Sequence, residues 1–183
     1  MNALLVAFLL ASTVIELGPG PTPNPRYDGR KSSQALRFDA DGNVLGNCTY
    51  RTARPIVVRP PRYGIITQAC IWDRTGNLLD NTWPCANVEW CHLATAYPPP
   101  PPLLWTLTYN GAGVGVGFRY LGETSSPYVI WSSVQAVRQE LDGTITDLTD
   151  PAWELRYALD IDDSGAIVGI GRDWDDRGFL LLP

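Results

Sequence analysis

The sequence predicts an all-β domain built from antiparallel hairpins. Its 17 glycines and 16 prolines are spread along 183 residues, which favours short strands joined by turns and disfavours long helices. A similar pattern of apolar residues, Asn or Asp, and glycine begins three times, at residues 35, 106 and 158. With 45% hydrophobic residues, the chain is long enough to bury one sizeable core.

The three copies agree best at the turn between two strands. Residues 35–46 (ALRFDADGNVLG) align with residues 158–169 (ALDIDDSGAIVG), and more weakly with residues 106–117 (TLTYNGAGVGVG). An Asx side chain that caps its own backbone, followed by a glycine with positive φ, is typical of tight turns. The predicted turn residues are Asp39 and Gly42, Asn110 and Gly113, and Asp162 and Gly165.

Each copy is followed by an apolar segment that resembles a second strand. The first and second of these segments lead into a further turn and strand, at 73–80 and 141–148. Each unit is therefore predicted to be a small antiparallel sheet, with Trp72 and Trp131 at the same position. The three segments are ACIWD at 69–73, YVIWS at 128–132 and GFLLLP at 178–183.

This repeat resembles the HAF repeats of bacterial exported proteins. The shared pattern reads, in order: one apolar residue, one Asn or Asp, two variable residues, one Gly, two apolar residues and a second Gly. It is followed by an A-F-L-W-like strand such as ACIWD. It covers residues 35–183 with gaps and three degenerate copies. The resemblance implies blade-like repeats that stack in a propeller-like manner, with no single activity. Closed propellers usually have about four to eight blades, so a partial propeller or a sandwich is also expected.

The N-terminal segment differs from the rest of the chain. Residues 3–15 (ALLVAFLLASTVI) contain good helix formers and no charge. They fit either a cleaved signal peptide or a retained helix that contacts a membrane or a partner. The first basic residue is Arg26, after the apolar segment, which favours retention. We expect an apolar helix within 1–17 with membrane contact through 3–17, a Pro/Gly-rich linker at 18–34 and the β-repeat domain at 35–183.

Four cysteines, Cys48, Cys70, Cys85 and Cys91, lie close together in the sequence. Buried free thiols and a metal site that includes His92 are alternatives, but no C-x2-C pair is present and a fourth metal ligand is missing. Two disulfides in an oxidising compartment are favoured. We predict a bond between Cys48 and Cys70, which lie on consecutive strands of the first repeat, and a local bond between Cys85 and Cys91.

The segment that begins at Asp160 also matches the start of a calcium loop, with Asp162 and Ser164 as further candidate ligands. The twelfth position of such a loop requires a bidentate Glu, and here it is Gly171. In the first copy, the residue aligned with Asp160 is Arg37. A turn between strands is therefore favoured over a calcium site.

The expected function follows mainly from the classes of function that the charge and the motifs disfavour. With 14 basic and 19 acidic residues the formal charge is -5, so we expect no nucleic-acid partner. No motif for a catalytic nucleophile, a phosphate loop or a cofactor is apparent. We expect a non-enzymatic, membrane-associated accessory or structural subunit, periplasmic or at the cell surface, that binds other proteins. The alternative is a secreted carbohydrate-binding or glycan-hydrolysing protein that uses Trp and Asp side chains.

Overall fold

The computed structural model describes residues 13–58, 61–88, 91, 104–121, 134–171 and 177–183. These residues form fourteen strands and two short 3-10 helices, Pro25–Tyr27 and Cys85–Asn87. Twelve of the strands form three four-stranded antiparallel sheets. The prediction of an all-β, antiparallel fold is therefore confirmed.

Sheet 1 contains the first repeat. Its strands, in spatial order, are β2 (Lys31–Phe38), β3 (Val44–Arg51), β6 (Ile65–Trp72) and β7 (Leu78–Asp80). Between β3 and β6 the chain forms a two-stranded ribbon of β4 (Val57–Val58) and β5 (Pro61–Arg62). The ribbon therefore extends from the end of sheet 1 where β3 ends and β6 begins.

Sheet 2 contains the middle repeat and is an up-and-down meander. Its strands, in spatial order, are β8 (Leu104–Tyr109), β9 (Gly115–Tyr120), β10 (Val134–Gln139) and β11 (Ile145–Asp147).

Sheet 3 joins the last repeat to the N-terminal part of the described chain. Its strands, in spatial order, are β12 (Leu155–Ile161), β13 (Ile167–Gly171), β14 (Arg177–Leu182) and β1 (Thr13–Leu17). Strand β1 pairs antiparallel with β14, from Thr13 opposite Leu182 to Leu17 opposite Gly178.

The prediction of a helix is wrong for residues 13–17, which form strand β1. Val14 and Ile15 pack into hydrophobic clusters on opposite faces of sheet 3, and Leu17 is fully buried. This alternation is what a strand with two buried faces requires, and the β-branched Val and Ile side chains suit it. Residues 1–12 lie outside the described residues. Within the part that is described, no helix is both long and apolar enough to cross a bilayer.

The repeated turn is more frequent in the structure than in the sequence alignment. Five hairpins share one geometry: the first residue donates to the carbonyl of the fifth, and the fourth, a glycine, donates to the carbonyl of the first. These glycines have φ between 79° and 86°, a region that disfavours side chains with a Cβ. The turns lie at 39–43, 73–77, 110–114, 140–144 and 162–166.

The copies also share an irregularity in their first strands. The pairing shifts by one residue between Ala35 and Arg37, between Thr106 and Thr108, and between Ala158 and Asp160. These shifts are β-bulges, which bend and twist a strand locally. Because they fall at corresponding positions, the structure aligns the three repeats in the register that the sequence suggests.

The segment YVIWS at 128–132, predicted as the second strand of the middle repeat, lies outside the described residues. The strand that occupies the place of β6 in sheet 2 is β10, which begins after YVIWS. In the hairpin alignment, Trp72 corresponds to Gln139, the residue before the turn at 140–144. Trp131, which was expected to be equivalent to Trp72, lies outside the described residues.

Sheet 3 lies between the other two sheets, and both of its faces are buried. One face packs on sheet 1 and the other packs on sheet 2, which explains why the segment GFLLL is almost continuously apolar. Toward sheet 1, Leu17, Val168 and Leu180 contact a cluster that includes Val44, Tyr50 and Trp72. Toward sheet 2, Ile167, Phe179 and Leu181 contact a cluster that includes Val116 and Ala136.

The segment at 18–34 is bonded to the domain and is not a free linker. The Trp72 indole donates to the Gly18 carbonyl at 2.8 Å, and the Tyr50 hydroxyl donates to the Pro19 carbonyl. The Asn81 amide donates to the Pro21 carbonyl at 2.8 Å. Proline has no N–H but keeps its acceptor, so this segment can be fixed through its carbonyls. Strand β2 also begins before residue 35, at Lys31.

Candidate functional site

The Asx turns of the three sheets lie close together, and the turn at 162–166 of sheet 3 is bonded to turns of both other sheets. The Asn110 amide donates to the Asp162 carbonyl at 3.2 Å. Arg74 donates to the Gly42 carbonyl at 3.2 Å and forms an ion pair with the Asp162 carboxylate. The predicted turn residues are therefore brought together, and their contacts connect the sheets.

Asp162, a candidate calcium ligand, uses both carboxylate oxygens inside this cluster. Oδ1 accepts from the Ser164 hydroxyl at 2.6 Å, and from the backbone N–H groups of Ser164 at 2.9 Å and Ala166 at 3.0 Å. Oδ2 is paired with Arg74. These are the contacts of an Asx turn, and the positive charge paired with this carboxylate is the Arg74 guanidinium.

Asp160, another candidate, also bonds within the protein. Its Oδ2 accepts from the Phe38 N–H at 2.9 Å, which connects β12 to β2 of sheet 1. Among the described residues, no group of three or more His, Cys, Asp or Glu side chains is arranged to hold a metal ion. The hydrogen bonds between Asp162 and Ser164 are those of a turn, and Asp160 lies outside that turn on β12.

The turn carboxylates are held in their charged form by hydrogen bonds. Burial acts to raise the pKa of Asp162, but hydrogen bonds from Ser164 and Ala166 and the charge of Arg74 outweigh it, so the pKa is lowered. At Asp73, hydrogen bonds from the Thr75 hydroxyl and from Asn77 lower the pKa to about 2. These shifts serve the structure, because each carboxylate caps the backbone of its own turn.

The structure contains two disulfides. Cys48 and Cys70 are bonded across adjacent strands of sheet 1, with Cα atoms 5.9 Å apart, and both are fully buried. Cys85 and Cys91 form a local bond next to sheet 1, with Cα atoms 5.4 Å apart. The pairs are those expected from the sequence, and the described cysteines include no free thiol. His92 lies outside the described residues.

A cleft with a volume of about 280 Å³ lies where sheet 2 leads into sheet 3. Its lining includes Trp153, Asp150, Glu154 and Arg156. The Arg156 side chain is buried and pairs at 3.0 Å with Glu154, which is mostly exposed. Gln135, at the edge of the cleft, donates to the Leu148 carbonyl at 2.6 Å and holds the chain in place. An indole ring, two carboxyl groups and a guanidinium thus surround one cleft.

Large apolar side chains are exposed along the β7 edge of sheet 1. Leu79 is 58% exposed and Trp83 is 60% exposed. The chain continues from β7 alongside β6, where the Ala69 N–H donates to the Trp83 carbonyl at 2.8 Å. Trp83 is therefore held on a hydrogen-bonded backbone next to the Cys85–Cys91 disulfide.

Besides the β7 edge, sheet 1 has a second exposed surface, at the end opposite the turns at 39–43 and 73–77. Sequence analysis did not predict this surface. Ile56, Tyr63 and Ile65 are 54%, 44% and 53% exposed. They lie together because Ile65 pairs with Arg51 across the sheet, and the Arg51 guanidinium lies over the Tyr63 ring at 5.6 Å. We call this the basic–apolar surface; it consists of Arg51, Arg54, Ile56, Arg62, Tyr63 and Ile65.

The distribution of charge along the chain is the signal that could have found this surface. Residues 1–74 contain nine of the 14 basic residues and five of the 19 acidic ones, a formal charge of +4. Residues 75–183 contain five basic and 14 acidic residues, a formal charge of -9. The net charge of the whole chain conceals this asymmetry.

Comparison with known proteins finds no matching family model, no matching curated protein and no matching solved structure.

Proposed function

We propose that this chain is a non-enzymatic, extracytoplasmic, membrane-associated domain that binds protein partners as an accessory or structural subunit. The observation that carries this proposal is Trp83, which is 60% exposed beside the exposed Leu79 on a disulfide-bonded sheet. Exposed tryptophans on a rigid backbone are characteristic of the residues that dominate protein interfaces. The two disulfides are compatible with an oxidising extracytoplasmic compartment.

We further propose a partial propeller arrangement of the three sheets, in line with the HAF-repeat resemblance. The first strands of sheets 1 and 2, β2 and β8, both contact β12, the first strand of sheet 3. Strand β1 supplies the fourth strand of sheet 3 from the other end of the sequence. Four-stranded antiparallel sheets arranged radially, as these contacts of the first strands suggest, are the blades of propeller folds.

A photo-crosslinking amino acid at position 83 tests the proposed function. In full-length protein in its native membranes, we expect a discrete covalent adduct with one protein. The matched control is the same substitution at Arg37, an exposed position on β2 of the same sheet. Adducts of equal yield at both positions, or none at position 83, would refute a partner on the β7 edge.

The cleft beside Trp153 favours a second candidate function, carbohydrate binding or glycan hydrolysis. An indole ring can stack on a sugar, and neighbouring carboxylate and guanidinium groups can bond its hydroxyls. A glycan array with the wild-type protein and with Trp153→Ala tests this candidate. Binding of a defined glycan that is lost in Trp153→Ala would favour it over the accessory-subunit proposal.

A further inference from the structure

We propose that the basic–apolar surface docks on a bilayer that carries anionic phospholipid headgroups. This inference deepens the proposed function, since it identifies the part of the domain that touches the membrane. Of the segment 3–17, through which membrane contact was expected, residues 13–17 are paired within sheet 3, and residues 3–12 lie outside the described residues.

The backbone around the surface is fixed by hydrogen bonds. The Ile56 N–H donates to the Arg62 carbonyl at 2.7 Å, which closes the β4–β5 ribbon. The Thr52 N–H donates to the Gly64 carbonyl at 3.0 Å, which ties the base of the ribbon to sheet 1. The exposed side chains are therefore presented together on an ordered projection.

The chemistry of this surface matches the interfacial region of an anionic bilayer. Guanidinium groups bind phosphate oxygens in a bidentate manner, tyrosine is favoured at headgroup depth, and isoleucine can enter the acyl boundary. Within the described residues, no ion pair joins Arg54 or Arg62 to an acidic side chain. Asp28, whose neighbour Gly29 bonds to the Arg51 carbonyl, is paired with Lys31 at 2.8 Å.

The shape of the surface favours a bilayer over a folded partner. The ribbon projects from the sheet, and the cleft described above lies in a different part of the fold, between sheets 2 and 3. Exposed apolar side chains surrounded by cations, here at the base of the ribbon, can enter a soft interface without a complementary pocket.

The surface lies far from Thr13, the first described residue of the chain. Thr13 pairs with Leu182, the residue before Pro183. The Pro183 side chain lies 4.0 Å from the place that a Cβ of Gly165 would take, so Thr13 is near the turn at 162–166. Arg51 is the last residue of the eight-residue strand β3, whose first residue follows the turn at 39–43. At about 3.4 Å per residue, the basic–apolar surface lies roughly 24 Å along the strand from that turn.

Vesicle flotation with the full-length protein tests the inference. Binding to vesicles of phosphatidylcholine alone measures any contribution of the apolar N-terminal residues. The additional binding to vesicles that also contain phosphatidylglycerol measures the contribution of anionic headgroups. We expect preferential binding to the second kind, which weakens as salt rises. Arg54→Glu should lower the partition coefficient at least roughly fivefold. Ile56→Ser should lower it with little change in salt dependence.

Matched controls are Arg37→Glu, an exposed arginine near the opposite end of sheet 1, and Leu141→Ser, which changes a side chain that is 76% exposed in the turn at 140–144. Both should bind like the wild-type protein, and thermal unfolding should show that all four variants fold. Equal losses in Arg54→Glu and Arg37→Glu would overturn the inference, and so would no preference for phosphatidylglycerol. Displacement by inorganic phosphate would point to a free-anion site, and tighter binding to polyglutamate would point to an acidic protein.

The failure of this inference can be distinguished from the failure of the proposed function. If position 83 crosslinks to a membrane partner while Arg54→Glu binds vesicles like Arg37→Glu, the docking surface is wrong and the proposed function stands. If the vesicle results are as expected and position 83 yields no adduct, the lipid surface stands and the partner proposal fails.

Discussion

Gly169 and Gly46 are required by close backbone contacts and not by turns. A Cβ at Gly169 would lie 1.9 Å from the Tyr157 carbonyl oxygen, and one at Gly46 would lie 2.0 Å from the Gln34 carbonyl oxygen. Both glycines face the bulge in the first strand of their sheet. The repeat therefore carries glycine at this place because the bulged strand comes too close for any side chain.

We expect Gly169→Ala to lower the free energy of unfolding by about 3 kcal/mol, because the backbone of β12 or β13 must shift to admit the methyl group. Gly18→Ala is the matched control, since a Cβ at Gly18 would meet no atom within 4 Å. Urea unfolding of both variants checks this. Equal midpoints for the two would show that the close approach is misplaced.

Asp73 should make stability depend on pH in the acid range. Its pKa in the folded protein is about 2, below the usual value of 3.8, mainly because of hydrogen bonds from Thr75 and Asn77. A lowered pKa adds stability that is complete above the unfolded value and is lost as pH falls through the folded value. The stabilising effect should therefore decrease between about pH 4 and pH 2.

The variant Asp73→Asn keeps a side-chain acceptor but removes the charge. We expect it to be less stable than the wild-type protein above about pH 4, with the difference shrinking as the pH approaches about 2. Urea midpoints measured across this range provide the test. A difference that stays constant with pH would contradict the charged role of Asp73.

At the scale of elements, β1 completes sheet 3 where the sequence predicts an apolar helix. Deleting residues 2–17 should lower the free energy of unfolding by at least about 4 kcal/mol more than deleting residues 2–12. The reason is that only the longer deletion removes the buried Leu17 and the half-buried Val14 and Ile15. Chemical unfolding of the two deletion variants measures the difference. Equal stabilities would mean that β1 adds nothing to sheet 3.

The two disulfides should differ in their effect. The Cys48–Cys70 bond spans 22 positions and the Cys85–Cys91 bond spans six. The longer loop restricts the unfolded chain more, so losing the first bond should cost about 3 kcal/mol and losing the second about 2 kcal/mol. Double Cys→Ala variants with thermal unfolding test the order. A Cys70–Cys85 peptide in a non-reducing digest would disprove the strand pairing.

Local chemistry explains which elements the sequence could predict. The turns at Gly42 and Gly165 are specified within a few residues, so the repeat alignment found them. Strand β1 is specified by a distant partner, since Leu17 pairs with Gly178, which lies 161 residues later. Over only five residues, the hydrophobic pattern of the end of an apolar helix cannot be distinguished from that of a strand that is buried on both faces. The basic–apolar surface was missed because its members meet only after the β4–β5 ribbon folds back.

At the scale of the whole molecule, the central feature is a sheet buried on both faces and completed by the N-terminal strand. The Ser33 hydroxyl, fully buried, connects this sheet to sheet 1: it donates to the Leu17 carbonyl at 2.6 Å and accepts from the Gly178 N–H at 3.1 Å. One side chain of β2 thus contacts both β1 and β14. The stability of sheets 1 and 2 should therefore depend on an intact sheet 3.

Hydrogen exchange of the full-length protein, resolved by residue, tests this central feature most directly. The amides of β1 that bond to β14 should exchange as slowly as those of β13 and β14, since all three strands should open in one cooperative unit. They should also lose protection together when Leu17→Ala weakens the sheet. Rapid exchange throughout residues 13–17, with β13 and β14 still protected, would show that the N-terminal strand is not part of the sheet.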